Sequence, residues 1–261
     1  MIEKEEIKRL QEILMNSWPA QHYYFLNGWV LRFTHGVTSR ANSVFPLSYI
    51  GDSNTIDKDI KLVEKAYQAH NLQPIFTIPD FFEPKNLDIK LLEHGYRQLG
   101  CVTYTMITSV QDLKNESINK DFIYDLQPQR IKEFSNFLAS HSKRDREAQN
   151  VLDALANRII IPQKCFLMAK YENKIIGTLM GVLDPDGFLY IADMLVDPDF
   201  RRKTIALSMF FKITKEWGIP NGVNKIWLQV ESENNEGVNL YKKLGFKRAY
   251  SYYYLTKTLE R

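Results

Sequence analysis

Two cysteines in 261 residues, Cys101 and Cys165, each set inside an apolar run, cannot build a disulfide framework and show no metal-ligand spacing. A reducing compartment, and with it a cytoplasmic protein, is the simplest reading. The five histidines (His22, His35, His70, His94, His141) are equally scattered, so neither a metal centre nor a Cys/His nucleophile is indicated. Excess charge of one sign is missing too. Against 31 Asp and Glu there are 34 Lys and Arg, a net charge of +3, far milder than the concentrated basic surfaces of nucleic-acid binders. Long hydrophobic runs are absent: Ile175 to Leu183 and Phe188 to Val196 both fall short of the roughly 20 apolar residues that cross a bilayer as a helix. No membrane partner is expected. Met1 to Trp18 is acidic and amphipathic, without the basic start and apolar middle of an export signal.

What is present is the composition of a globular chain, 44% hydrophobic and 25% charged, long enough for one large domain or two small ones. Asp112 to Lys120 is polar and aperiodic, which predicts a linker at 112–120 between domains at 1–111 and 121–261. Ile7, Leu10, Leu14 and Trp18 recur at helical spacing and predict a docked surface helix at the start. The second half alternates between the two periods. Strands are expected at 122–126, 164–171, 174–183, 188–196 and 225–230, with a final strand region at 248–258. Helices are expected at 129–140, 145–158 and 236–244, and around the four-residue repeat Ile205, Met209, Ile213, Trp217. The class is α/β, a mixed twisted sheet with helices.

The first half echoes the second at an offset of 150 residues. Ile60 to Ala69 falls on the helix ending near Trp217, Ile75 to Ile78 on Lys225 to Leu228, and Leu87 to His94 on the helix before Gly245. Gly95-Tyr96 lands on Gly245-Phe246 and Tyr104 on Tyr254. Element order and the Gly-aromatic step, rather than residue identity, point to a duplicated fold.

Two stretches carry chemistry. In Leu195 to Met209 a strand ends at Val196, Pro198 stops its continuation, and Arg201, Arg202 and Lys203 stand where the next helix begins. Cations at a helix N-terminus oppose the macrodipole, and an anion there reverses the penalty because side chains and free N–H groups both point at it. A solvated basic edge is the plain alternative; the place between a strand end and an apolar helix favours a phosphate. In Asn234 to Phe246, Asn234 precedes a short helix and Tyr241 lies two turns in, ahead of Gly245. By themselves these would read as a helix cap and a core aromatic.

Together the two stretches resemble the GNAT family of acetyl-CoA-dependent N-acetyltransferases, over roughly Asp121 to Arg261. The family's cofactor motif, valine, any residue, proline, then Arg/Gln-x-x-Gly-x-Gly/Ala, is matched by Val196, Pro198, Arg201, Thr204 and Ala206. Its later motif is matched by Asn234, Gly237, Leu240, Tyr241, Gly245 and Phe246. The first half is similar to the degenerate GNAT-like N-terminal domain of two-domain members, with Gly28-Trp29, Arg40 and Asn42-Ser43-Val44 fitting that likeness. It lacks the chemistry: Gly51, Pro84 and Leu91 stand at the positions of Arg201, Asn234 and Tyr241. One departure is Thr204, where the family has a glycine. A β-branched residue resists both positive φ and close approach to a pyrophosphate; its hydroxyl can instead serve a phosphate oxygen, or cofactor binding is weakened.

The resemblance implies direct transfer of acetyl from acetyl-CoA to an amine of a small acceptor. Backbone groups of Met194, Leu195 and Val196 would hold the pantetheine arm, and Arg201, Arg202, Lys203, Thr204, Ile205 and Ala206 would clamp the pyrophosphate, with Asn234 also on the cofactor side. An N–H near Leu195 would face the oxyanion, and Tyr241 would protonate the departing thiolate. Asp193 on the strand and Glu231 after the next are the candidate bases, directly or through water. No metal is implied, and the chain is a monomer or homodimer. The alternative is a non-catalytic CoA-binding or scaffold module of the same fold; a weak nucleic-acid binder using the three cations would need a wider basic surface.

Overall fold

A computed structural model describes residues 3–114, 118–142 and 145–259; the middle of the expected linker, residues 115–117, lies outside the described residues. Contacts divide the chain into two compact units that do not follow sequence order. One gathers the chain up to Thr105 with Val230–Asn235 and everything from Arg248 on; the other comprises Met106–Gln229 and Glu236–Lys247.

In the first unit, α1 (Lys4–Ser17) buries Ile7, Leu10, Ile13 and Leu14, the face expected from their spacing. A hairpin follows, β1 (His22–Leu26) and β2 (Trp29–Phe33), paired antiparallel from His22–Phe33 to Leu26–Trp29. Its turn is Asn27-Gly28, both at positive φ, the pairing that suits the right-handed strand twist. Then come α2 (Ile56–Ala69), β3 (Ile75–Pro79), α3 (Leu87–Glu93) and β4 (Arg97–Ser109). The core joins Trp29, Leu31 and Phe33 of β2 to Ile60, Val63 and Tyr67 of α2, and to Phe76, Leu91 and Tyr96.

In the second unit, β5 (Ile123–Gln127), α4 (Lys132–His141) and α5 (Arg146–Asn157) precede a meander of β6 (Lys164–Tyr171), β7 (Lys174–Leu183) and β8 (Phe188–Val196). The Asp145 carboxylate caps α5 by accepting from Ala148 N–H. α4 starts at Lys132, three residues later than the periodicity suggests, because Ile131 is extended (φ −82°, ψ 163°). α6 (Ile205–Phe211) runs on into a π-helical stretch, Lys212–Gly218. The exact four-residue repeat of the sequence lies between the α period and the wider π turn, which accounts for it. β9 (Lys225–Glu231) and α7 (Asn235–Lys243) follow, and β10 (Lys247–Thr256) returns to the first unit, antiparallel to β3. β5 to β8 are antiparallel neighbours in order, and β9 lies parallel to β8.

The 150-residue repeat is visible in hydrogen bonds. After α3, Gly95 N–H donates to Leu92 O and Tyr96 N–H to Leu91 O; after α7, Gly245 N–H donates to Lys242 O and Phe246 N–H to Tyr241 O. Both glycines are left-handed, at φ 86° and 99°, as a helix C-terminal stop requires. The fold is thus a mixed α/β unit with a smaller one that repeats part of its element order.

Candidate active site

The site is laid out by an interruption in β8. Thr178 of β7 faces Leu195, but Met180 faces Ala192, so one residue of β7 stands opposite both Asp193 and Met194. This bulge bends the strand, and Asp193 adopts φ 49° to make it. The Thr178 hydroxyl donates to Asp193 O at 3.2 Å. On the other edge, the parallel ladder to β9 runs from Phe188–Lys225 to Ile191–Leu228, after which β8 continues to Val196 with a strand partner on its β7 side alone. Backbone N–H and C=O groups along that open edge can take an added extended chain.

A buried ion pair holds the bulge. Arg130, with a side chain 1% exposed, donates from Nη1 to Asp193 Oδ2 (2.8 Å) and from Nη2 to Asp153 Oδ1 (2.9 Å), and lies over the Phe134 ring. Sequence reading misses this arrangement, since nothing local links residues 130, 153 and 193. The same holds for Gln229, one residue past the last β8–β9 pair. Both polar atoms of its amide are buried without a hydrogen-bond partner, the condition of a group awaiting one.

Tyr241 of α7 is buried, and its hydroxyl donates to Met194 Sδ at 3.6 Å, which ties it to the bulge. A thioether accepts weakly, so this contact adds little to hold the hydroxyl in place. Burial pushes the phenol up to about 12.

Beyond Val196 the chain turns sharply. Asp197 Oδ1 accepts from Asp199 N–H, and its Oδ2 lies 3.1 Å from Lys174 Nζ and 3.5 Å from His141 Nε2. Pro198–Phe200 forms a 3-10 turn. Arg202 (φ 61°) and Thr204 (φ 60°) are both left-handed, and Thr204 O accepts the first α6 bond from Ser208 N–H. The loop therefore takes the positive φ that glycine would supply, at a cost of about 1–2 kcal/mol for a β-branched residue. The Thr204 hydroxyl donates to Lys203 O at 2.6 Å, so in this arrangement its proton is not offered to a phosphate. Arg201 and Arg202 are exposed and make no ion pair among the described residues, while Lys203 lies over the Phe200 ring, 4.7 Å from its centroid. The expected linker takes part: Asn119 N–H donates to Ser208 Oγ and its side chain to Lys203 O. At Gly177 a Cβ would meet Met209 Cε at 3.0 Å and Leu195 O at 3.2 Å, so a larger residue there would push against the Met209 side chain and the β8 backbone.

Asn234 and Glu231 are exposed, and Asn234 N–H donates to Glu231 O. Met194, Leu195 and Val196 are half-buried along the open edge, Ile205 is buried and Ala206 half-buried in the first turn of α6. Among the described residues no group of three or more His, Cys, Asp or Glu is placed to hold a metal, and no helix is long and apolar enough to cross a membrane.

Residues 128–246 match the acetyltransferase (GNAT) family, and residues 4–109 match the family described as "Probable histone acetyltransferase Rv0428c C-terminal". The chain thus carries a GNAT-family acetyltransferase domain over residues 128–246, with an Rv0428c-like acetyltransferase domain ahead of it. Over 258 residues it is 26% identical to the "Uncharacterized N-acetyltransferase YobR" of Bacillus subtilis, covering 97% of this chain and 99% of that one. A solved GCN5-related N-acetyltransferase from Kribbella flavida shares the fold, with TM-score 0.69 and 11% identity over 97% of this chain and 96% of that one. So does a "Tandem GNAT protein from the clavulanic acid biosynthesis pathway", with TM-score 0.59 and 8% identity over 78% and 70%.

Proposed function

We propose that the protein moves an acetyl group from acetyl-CoA directly to an amine of a small-molecule acceptor. The observation that carries this is the Tyr241–Met194 contact at the bulge of an open-edged strand. The pantetheine arm adds to the β8 edge through backbone groups of Met194, Leu195 and Val196. The pyrophosphate lies in the turn Arg201–Ala206, where two free guanidiniums and the Lys203 ammonium meet it with the N–H groups opening α6. Asn234 lines the cofactor side at the start of α7.

As the amine attacks the thioester carbon, charge gathers on the carbonyl oxygen, where the Leu195 N–H beside the bulge stabilises it. The C–S bond then breaks, and Tyr241 gives its proton to the thiolate. A phenol at about 12 stays protonated throughout the neutral range, so the acid is always loaded. Asp193 enters as the anchor of the bulge rather than as the base, because its Oδ2 is committed to Arg130. The amine's proton leaves to water, and the orphan amide of Gln229 offers the acceptor one donor and one acceptor.

The test is a calorimetric titration with acetyl-CoA. Wild type is expected to bind at micromolar Kd, about −8 kcal/mol. Arg201→Ala is expected to weaken binding at least tenfold, and Thr204→Gly, which keeps the left-handed turn without the strained Cβ, to tighten it several-fold. Wild-type failure to bind sinks the proposal.

A further inference from the structure

The first unit contains a buried cation that nothing in acetyl transfer uses. Arg32, the penultimate residue of β2, is fully buried, and no carboxylate pairs with it among the described residues. The ionisable groups facing it are the phenols of Tyr23, Tyr67 and Tyr254, with Arg40 close to the same Tyr254. Its Nη1 donates to Arg40 O (2.6 Å) and its Nη2 to Trp18 O. Nε–H has no partner, and the Ser17 hydroxyl and the Trp18 indole N–H, at the end of α1 and just after it, are also buried without one. Every orphan here carries a proton to donate. A guanidinium taken out of water needs a negative charge or a full set of acceptors, and Arg32 has two carbonyls and the Tyr23 phenol for five N–H groups.

We propose that Arg32 is the floor of an anion site in the first unit, which takes the carboxylate of a small molecule. The shape argues for a carboxylate. The free Nε–H, beside an Nη, forms the side fork that a planar two-oxygen anion meets with two parallel hydrogen bonds, and one negative charge balances this buried cation. The Phe45 ring holds the guanidinium at 5.1 Å and the Tyr23 ring lies 6.0 Å away. Tyr23 is 40% exposed, so the fork lies one aromatic ring below the surface. The Tyr23 hydroxyl is tied down by a long bond to Met15 O (3.4 Å) and by the Ala20 N–H, and rotation of that ring is the entry.

The site is independent of the acetyl-CoA reading, and its test does not involve turnover. Full-length protein with 15N-labelled arginine is titrated with propionate, lactate and succinate, and separately with inorganic phosphate at matched ionic strength. The Arg Nε–H resonances and the melting temperature are followed. A saturable shift of one Nε–H signal with a carboxylate, and a matching rise in Tm, are expected. Arg32→Lys, which keeps the charge but not the fork, should bind at least tenfold more weakly, and Arg32→Met should lose the response. No responding Arg signal with any of the three acids overturns the proposal, as does a Tm rise that persists in Arg32→Met or a response to phosphate alone. Should Arg32→Met not fold, the wild-type resonance titration still decides.

Discussion

Tyr241→Phe lowers kcat by about 10²–10⁴-fold, the range for loss of a positioned general acid, while acetyl-CoA affinity and Tm barely move. The hydroxyl's protein partner is Met194 Sδ at 3.6 Å, a weak acceptor whose loss costs little. The ring, packed against Phe246 with centroids 5.7 Å apart, is kept by phenylalanine. The pH dependence follows from the same burial. An acid with its pKa pushed up to about 12 is fully protonated below about pH 10, so no falling limb assigned to it enters the wild-type profile in that range. Stopped-flow measurement of CoA thiol release across pH, with calorimetry of both proteins, separates turnover from binding. Unchanged kcat in Tyr241→Phe removes the general-acid assignment.

Arg130→Ala is expected to cost about 3–5 kcal/mol of stability, the usual loss when one member of a buried ion network is removed and its partners stay. The guanidinium is 1% exposed and serves two carboxylates, Asp193 (14% exposed) and Asp153 (23%). Without it, two negative charges face each other in a partly dry site. The predicted fall in Tm is roughly 10 °C. Activity should fall further than stability explains if, as proposed, the N–H beside the bulge that Asp193 positions faces the oxyanion. Arg130→Lys, retaining charge but unable to reach both carboxylates as a fork, should lie between. Chemical denaturation checks this, and a loss below about 1 kcal/mol would make the pair a surface ornament.

Much of this was legible in the sequence because it is local. β6, β7 and β8 fall where the apolar runs begin and end, and the Asp184–Gly187 turn is closed by Gly187 N–H to Asp184 O as its residues require. The repeat was legible through a single stereochemical demand, a left-handed residue after a helix, met by Gly95 and Gly245. Asn27-Gly28 announces the β1–β2 turn as plainly, though a search for long periodic runs passes over it. Other features leave no local trace. The bulge sits inside an apolar run, FLYIADMLV, that Asp193 alone interrupts and no glycine marks, and residues 63 apart make the Arg130–Asp193 pair. The left-handed Arg202 and Thr204 run against their own propensities, so only the tertiary frame sets them. Arg32 is one polar residue in the apolar stretch Trp29–Phe33, and nothing local marks its burial.

The most direct test of the central claim is to mix the protein with acetyl-CoA, alone and with a panel of primary amines, following free CoA thiol, acetylated amine and the intact mass of the protein. Direct transfer predicts thiol release that depends on the amine, one acetylated amine per thiol, and no acetyl group left on the protein. Stoichiometric acetylation of the protein without amine, or no thiol release with any amine, would contradict it.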